Sequence, residues 1–273
     1  MARVLVISSQ VARGSVGLNA VLPALHAFGH ETIALPTVLL SNHPGHGRFA
    51  GERIDPALLT RIVATLDANG WLAEVEAVLT GYLPSAAHVG FAASTLTMVR
   101  ARHPAARFFC DPVLGDDPKG LYIAEEAAQA LREQLVPAAD YAFPNRFELA
   151  WLSGRAVTDE QSARSAAASL AAPWVVATSI PGPIGCLSNL ASGPSGAWVA
   201  SLPELARVPN GTGDLLAGLY TGAILAGRTP ESALTQAVAG VAHIIAASAG
   251  CDELRLVGSL SGGEAAPLAR PLD

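Results

Sequence analysis

Pro209-Asn210-Gly211-Thr212-Gly213-Asp214 runs directly into Leu215-Leu216-Ala217-Gly218 and a long apolar segment. Two glycines let the backbone approach a ligand closely. The first-turn amides of a helix point outward, and the helix dipole favours anions there. Gly211, Thr212 and Gly213 could therefore hold a phosphoryl group while Asp214 accepts a proton from an attacking hydroxyl. Phosphoryl transfer asks mainly for positioning and electrostatics, so such a base needs no elevated pKa. The same residues would also make an ordinary helix start, with Asn210 or Thr212 as cap and Asp214 complementing the dipole. Short glycine motifs recur by chance, and the motif alone does not separate the two readings.

Other polar residues stand just after apolar runs that read as strands: Ser9, Tyr82, Asp111, Asn145 and Thr178. In open α/β sheets ligands sit beyond the carboxyl ends of the strands, which gives these positions weight. Each also has a plainer reading. Tyr82 could be a strand-end aromatic against the core, and Asp111 before Pro112 a turn former. Glu148 could complement a helix start, or share metal-bound water with Asn145. His43 and His46 flank Pro44-Gly45, so they belong to a turn with no further ligand adjacent; a loop or substrate role outweighs a metal. Cys110 sits in an apolar strand and reads as a small buried hydrophobe, not a nucleophile. His243 lies in an apolar helical stretch and reads as a packed histidine.

Composition removes several classes of function. Lys119 is the only lysine among 273 residues, and its surroundings do not form a Walker A loop. A Schiff-base enzyme would also have to use it. The net charge is -6 without a basic cluster, which argues against a nucleic-acid surface. Cys110, Cys186 and Cys251 form no CxxC pair, so a disulfide framework or structural zinc is not expected, and a reducing compartment is. Met1–Ser8 is too short for a signal segment. The longest apolar run, Ala233–Ala249, is interrupted by Gln236 and His243, so no membrane span is expected and a cytoplasmic location is.

The elements that must position these residues alternate between two kinds. Arg3–Ser8, Thr32–Leu35, Ala77–Thr80, Arg107–Cys110, Tyr141–Phe143 and Trp174–Thr178 read as strands, several continuously apolar as strands covered on both faces should be. Helices are predicted near Gly17–Phe28, Pro56–Asn69, Ser85–Arg102, Ala124–Leu135 and Asp159–Ala171. Ile184–Leu190 and Ala197–Leu202 read as an antiparallel hairpin, and Gly211–Ala226 and Pro230–Ala249 as two closing helices. Such alternation predicts a single three-layer α/β/α domain over residues 1–257 with a mainly parallel central sheet. The tail from Gly258 to Asp273, rich in Gly, Pro and Ala, is expected to be poorly ordered.

The Gly-Thr-Gly-Asp turn before a long apolar helix resembles the ribokinase superfamily, and further segments are similar to its pyridoxal kinase family. Ser9, Gly14 and Gly17 resemble that family's first-strand substrate loop, Ser41-Asn42-His43 its SNH segment and Thr80-Gly81-Tyr82 its TGY segment. Asp111-Pro112-Val113-Leu114-Gly115-Asp116 resembles its DPVLGD segment, and Pro144-Asn145 with Glu148 its PN..E segment, followed by Leu152-Ser153-Gly154. The segments occur in the family's order from residue 4 to about 250, and DPVLGD, PN..E and GTGD together are specific.

The resemblance implies a ribokinase-like fold, MgATP as phosphoryl donor, and phosphorylation of the hydroxymethyl group of pyridoxal, pyridoxine or pyridoxamine in vitamin B6 salvage. A monovalent cation such as K⁺ is a further candidate, and a homodimer is expected. It implies that Asp214 is the base and Gly211 to Gly213 the anion hole, with Ser9, His43 and Tyr82 facing the pyridoxal ring. Asp111, Asn145 and Glu148 would organise phosphates and Mg²⁺, with Asp111 and Glu148 as metal partners partly through water. Thr178 and Ser179 would contact ATP phosphates, and Asp116 and Tyr122 lie in the segment that closes over the nucleotide in relatives. The chain departs from the pattern at Gln10, Leu40, Pro44 and Phe143; Pro44, where relatives usually carry Thr, removes one donor to the substrate. Alternatives of the same fold are a hydroxymethylpyrimidine or sugar kinase, or a non-catalytic B6-binding relative. Pyrimidine kinases of the fold commonly carry Cys where Asp214 stands.

Overall fold

The structure is a computed structural model and describes residues 1–260 and 268–272. The chain forms β1 (Arg3–Val11), α1 (Leu18–Ala27), β2 (Glu31–Leu40), β3 (Gly51–Arg53), α2 (Pro56–Ala68), β4 (Ala77–Thr80), α3 (Ala86–Arg102) and β5 (Arg107–Cys110). A small hairpin follows, β6 (Gly115–Asp116) and β7 (Gly120–Leu121), then α4 (Glu125–Ala130), β8 (Tyr141–Ala142), α5 (Arg146–Ser153) and α6 (Glu160–Ala167). The last part holds β9 (Trp174–Pro181), β10 (Cys186–Gly193), β11 (Gly196–Pro203), α7 (Thr212–Leu225), α8 (Pro230–Ala247) and β12 (Arg270–Pro271).

Apart from the hairpin, the strands make one sheet in the order β12-β11-β10-β9-β8-β5-β4-β1-β2-β3. The six strands from β9 to β2 are parallel, and the antiparallel partners lie only at the two sides. Alternate side chains of one strand enter different cores, as the pleat requires. Val4 and Val6 of β1 pack with α1, α7 and α8, whereas Leu5 and Ile7 pack with α2 to α6. Phe108 and Phe109 of β5 divide in the same way. Buried apolar side chains on both faces explain why these strands read as continuous apolar runs.

The chain leaves β1 for α1 on one face and leaves β4 for α3 on the other. These strands are neighbours, so a crevice opens between their carboxyl ends, the place where such sheets receive ligands. The three-layer α/β/α arrangement with a mainly parallel sheet is therefore present.

The structure differs from the sequence reading at several places. Strands β1 and β2 run on to Val11 and Leu40 and carry their loops further over the crevice. The helix expected to Leu135 narrows to Ala130, followed by a wider π turn over Leu131–Leu135. In the tail, Arg270–Pro271 pairs with Trp198 and Val199, and Leu272 is buried. Arg270 also pairs with Glu160 on α6, so polar and apolar contacts both seat the segment. Residues 261–267 and Asp273 lie outside the described residues. Among the described residues no helix is long and apolar enough to cross a membrane.

Candidate active site

Helix α7 begins, like α1 at Gly17, on a glycine without a side-chain cap. Side chains cap α5 (Asn145), α6 (Asp159) and α8 (Thr229), but the N-cap of α7 is Gly211, without a capping side-chain hydrogen bond. The first-turn amides of Thr212 and Gly213 are thereby left for another partner. Only glycine fits at 211, because its φ is 100° and a Cβ would stand 2.0 Å from the Ser15 carbonyl oxygen. A Cβ on Gly213 would instead meet nothing within 4 Å, so that face of the turn is open.

Asp214, in the same turn, lies against the ends of β1 and β4. A Cβ on Gly81 would stand 2.4 Å from the Ser8 hydroxyl and 4.0 Å from Asp214 Oδ1, so the bare glycine makes room for Ser8 and lies in contact range of the carboxylate. Burial raises the Asp214 carboxyl to about 6, offset in part by a hydrogen bond from the Gly17 backbone. A carboxylate with that affinity is a competent proton acceptor near neutral pH.

Ser9, His43 and Tyr82 come from three neighbouring strand ends around this group. Ser9 is crowded by Gly17, where a Cβ would stand 2.2 Å from the Ser9 hydroxyl. Tyr82 is tied at both backbone atoms, its N–H donating to Ser8 Oγ (3.2 Å) and its carbonyl accepting from Thr37 Oγ1 (2.7 Å). His43 caps the one-turn segment Pro44–His46, its Nδ1 accepting the Gly45 N–H at 3.1 Å. That bond places the proton of neutral His43 on Nε2. Burial is the main cause that lowers the His43 pKa, with His46 and Lys119 adding to it, so the ring is held neutral and offers Nε2–H as a donor. Gln10 turns away from this group: its Nε2 donates to Asn19 Oδ1 at 2.6 Å and braces the loop after β1.

A second, acidic corner stands at the ends of β5 and β8. Glu148 is almost fully buried and completes a reciprocal cap with Asn145 at the start of α5. One of its oxygens accepts from Leu114 N (2.8 Å) and Gly115 N (3.4 Å), the other from Asn145 N (2.8 Å). Asn145 Nδ2 donates to the Gly115 carbonyl at 2.8 Å, so both residues anchor the β6–β7 hairpin. The plain helix-start reading of Glu148 is thus present in the structure, and it leaves an ionisable group in a buried place. Burial first, and Asp116 further, push Glu148 up to about 8 against those backbone bonds. Asp111 is raised as well, by burial and then by Glu148 and Asp214. Asp111, Glu148 and Asp214 therefore share one electrostatic neighbourhood.

Asp116 and Tyr122 belong to the hairpin and its return. Asp116 Oδ1 accepts the Asp117 N–H, and burial and Asp116 raise the Tyr122 phenol to about 12. Thr178 and Ser179 stand further along the sheet, on β9. Thr178 N–H donates to the Pro144 carbonyl at 3.0 Å, and Thr178 bridges to Asn145. Ser179 has φ 56°, the described residues' one non-glycine in the left-handed region, and the β9–β10 register shifts opposite it. Cys110 is fully buried and its thiol is raised to about 12 by burial, as a packing residue should be. Among the described residues no group of three or more His, Cys, Asp or Glu could hold a metal by itself.

One feature has no counterpart in the sequence reading. A mostly apolar cavity of about 550 Å³ lies between the end of β11, the loop running to Pro209, and the end of α8; Leu202, Pro203, Arg207, Ile245 and Asp252 are among its walls. It reaches the residue next to the glycine turn. Its walls come from segments without polar spacing, so no pattern marks them.

Comparison with known proteins places these features. Residues 12–256 match the phosphomethylpyrimidine kinase family model. "Pyridoxal kinase PdxY" of Leifsonia xyli is 33% identical over 265 residues, covering 94% of each chain. "Pyridoxine/pyridoxal/pyridoxamine kinase" of Bordetella avium is 38% identical over 234 residues, covering 84% of this chain and 79% of the other. Pyridoxal kinase from Leishmania donovani, solved with ADP and ginkgotoxin, superposes with a TM-score of 0.93 at 32% identity over 100% of both chains. The same enzyme with ADP and pyridoxamine gives 0.93 at 33% identity over 99% of both.

Proposed function

The chain belongs to the phosphomethylpyrimidine kinase family, and we propose that it is an ATP-dependent kinase that phosphorylates the 5′-hydroxymethyl group of pyridoxal and its close vitamers. The observation that carries the proposal is the uncapped start of α7 with Asp214 in its first turn, facing the crevice between β1 and β4. The curated relatives named for pyridoxal agree with it, as do the ADP and B6 ligands of the structural neighbours.

In this reading the vitamer ring lies against Ser9, His43 and Tyr82, with His43 Nε2–H donating to a ring substituent. The 5′-hydroxyl gives its proton to the Asp214 carboxylate, and its oxygen attacks the γ-phosphorus as the bond to the ADP oxygen breaks. The amides of Thr212 and Gly213 hold the transferred oxygens, whose charge redistributes without a change of partners. The nucleobase occupies the apolar cavity beside Pro209, and Thr178 and Ser179 meet the phosphate chain on the way.

Mg²⁺ fits the acidic corner. Glu148 raises Asp111, and Asp116 raises Glu148, which marks negative charge that a cation would relieve. Two carboxylates without a full ligand set suit an ion that keeps several waters. When bound there, Mg²⁺ supplies charge neutralisation to the β- and γ-phosphates.

The test is ADP formation in the presence of pyridoxal, pyridoxine, pyridoxamine, a hydroxymethylpyrimidine and a sugar, with mass detection of the phosphorylated product. Phosphorylated B6 vitamers are expected. Turnover of the pyrimidine alone would overturn the substrate assignment, and tight vitamer binding without ADP would make the chain a binding protein. Exchanging K⁺ for a bulky organic cation in the same assay reads the monovalent requirement. The proposed reaction calls for a compartment that supplies ATP, which the cytoplasm does.

A further inference from the structure

Residues 12–15, just past β1, touch three parts of the site at once. Their backbone extends the pairing with β2: Ala12 N–H donates to the Leu40 carbonyl (2.8 Å) and Arg13 N–H to the Ser41 carbonyl (2.9 Å). Ser41 opens the segment that carries His43. The Ser15 carbonyl oxygen packs on Gly211, where a Cβ would stand 2.0 Å away, so the same residues bear on the glycine turn. Their third neighbour is the stretch after α8. Arg13 Nη2 donates to both Asp252 oxygens, at 3.2 and 3.4 Å, and Arg13 Nε lies 3.3 Å from Glu253 Oε1. Ser15 Oγ donates to the Leu254 carbonyl at 2.9 Å. Asn19 Nδ2 braces the segment from α1, donating to the Val11 and Gly14 carbonyls at 2.8 and 2.9 Å.

Asp252 has two roles in this arrangement. It receives Arg13, and it is a wall of the apolar cavity together with Ser248, Ala249, Gly250 and Cys251. That wall is anchored at its start: Ser248 Oγ donates to the Ile244 carbonyl (2.6 Å) and accepts from Arg255 N (2.9 Å). Beyond the anchor the chain turns at Gly250 (φ 76°), with Ala249, Gly250 and Asp252 exposed. A base seated in the cavity would cover that turn and fix it. Arg13 and Ser15 would pass the constraint to residues 12–15, and these to Ser41 and Gly211. The ion pair itself is exposed, Arg13 at 65% and Asp252 at 52%, so it adds little to folding stability. Its effect lies in joining two loops that each ligand must order. A loop ordered by the first ligand need not be ordered again for the second.

We propose that Arg13 is a positioning residue that couples the two substrates: through Asp252 and Glu253 it ties the nucleobase cavity to the vitamer loops, so that nucleotide and vitamer each bind more tightly when the other is present. The proposal rests on the kinase reading above, with the nucleobase in the cavity beside Pro209. Arg13 holds loops; no proton or phosphoryl group passes through it. Linkage makes the effect reciprocal: nucleotide tightens vitamer binding by the same factor as vitamer tightens nucleotide binding. Exposed ion pairs set the scale of that factor at about fivefold.

The test is titration calorimetry of the full chain: pyridoxal binding with and without saturating ADP and Mg²⁺, and ADP binding with and without saturating pyridoxal. Wild type should show the same factor, about fivefold, in both directions. Arg13→Ala should bring both factors to about one, with the affinity for each ligand alone within about twofold of wild type and an unchanged melting temperature. Asp252→Asn combined with Glu253→Gln should remove the same coupling, and adding Arg13→Ala to that pair should remove nothing more. In turnover, Arg13→Ala should raise the pyridoxal KM at saturating ATP by about fivefold and leave kcat unchanged. A factor of about one in wild type, or a factor kept in Arg13→Ala, would overturn the proposal. So would an Arg13→Ala protein that binds each ligand alone as poorly as it binds the two together, which is how a merely structural role would act. Failure of wild type to bind ADP or pyridoxal at all would instead remove the kinase reading itself.

Discussion

The three carboxylates at the site make opposite demands on pH. Asp214 must be ionised to accept a proton, and burial lifts it to about 6. The pH profile of kcat/KM should therefore fall on the acid side with an apparent pKa near that value. Asp214→Asn keeps the size and the helix-start chemistry but not the acceptor, and should lower kcat by about 10²–10⁴-fold with an unchanged melting temperature. A folded Asp214→Asn protein with near wild-type kcat would return the residue to a simple helix-start role. Asp111 and Glu148 act on stability. Their pKa values are raised in the fold, so their contribution is fully present below the unfolded carboxyl range and fades as pH rises through the folded values, about 8 for Glu148. Metal-free protein should thus melt lower at pH 8 than at pH 6, and Mg²⁺ should raise the melting temperature more at pH 8. Asp111→Asn should flatten that pH dependence while cutting turnover. A melting temperature insensitive to both pH and Mg²⁺ in wild type would remove the acidic corner as the metal's place.

Among the elements, the start of α7 separates packing from chemistry within three residues. At Gly211 an alanine Cβ would collide with the Ser15 carbonyl in a φ that L-residues avoid, so Gly211→Ala should cost more than about 1 kcal/mol in denaturant unfolding. At Gly213 the Cβ would enter open space, so Gly213→Ala should fold normally and lose activity where the phosphoryl group belongs. Equal stability of the two variants would contradict the packing at this turn. The contrast shows what a sequence can carry. The glycine turn, the apolar parallel strands and the long closing helices were legible because each has a local pattern: tight turn chemistry, continuous apolar runs, helical periodicity. Strand β3, the β6–β7 hairpin and β12 are three residues or fewer and have no period to detect. Helix α5 was represented in the sequence only by its cap, Asn145 and Glu148, and the double duty of Glu148 depends on Leu114 and Gly115, thirty-odd residues earlier. The apolar cavity beside Pro209 was illegible for the same reason: β11 and α8 meet only in space.

For the molecule as a whole, the placement of its apolar surface bears on assembly. Single exposed apolar side chains are ordinary, but contiguous ones mark contact surfaces. Leu58 and Ile62 lie one helical turn apart on the outer face of α2 and are 41% and 37% exposed. Leu39 of β2 (51%) and Trp71 just after α2 (47%) belong to the same side of the sheet. The cavity assigned to the nucleobase lies at the opposite side, near β11. A second copy docking through α2 and β2 would cover these side chains and leave both nucleotide entrances open, as a closed two-fold pair can. We therefore expect a homodimer built on this face. Leu58→Glu together with Ile62→Glu should convert it to a monomer in light scattering across a concentration series, because each copy would bring the same buried charges to the contact. Both positions are exposed in the single chain, so the variant should keep its melting cooperativity and its Asp214-dependent chemistry. A wild-type protein that stays monomeric at high concentration, or a double variant that remains dimeric, would show that this face does not hold two copies together.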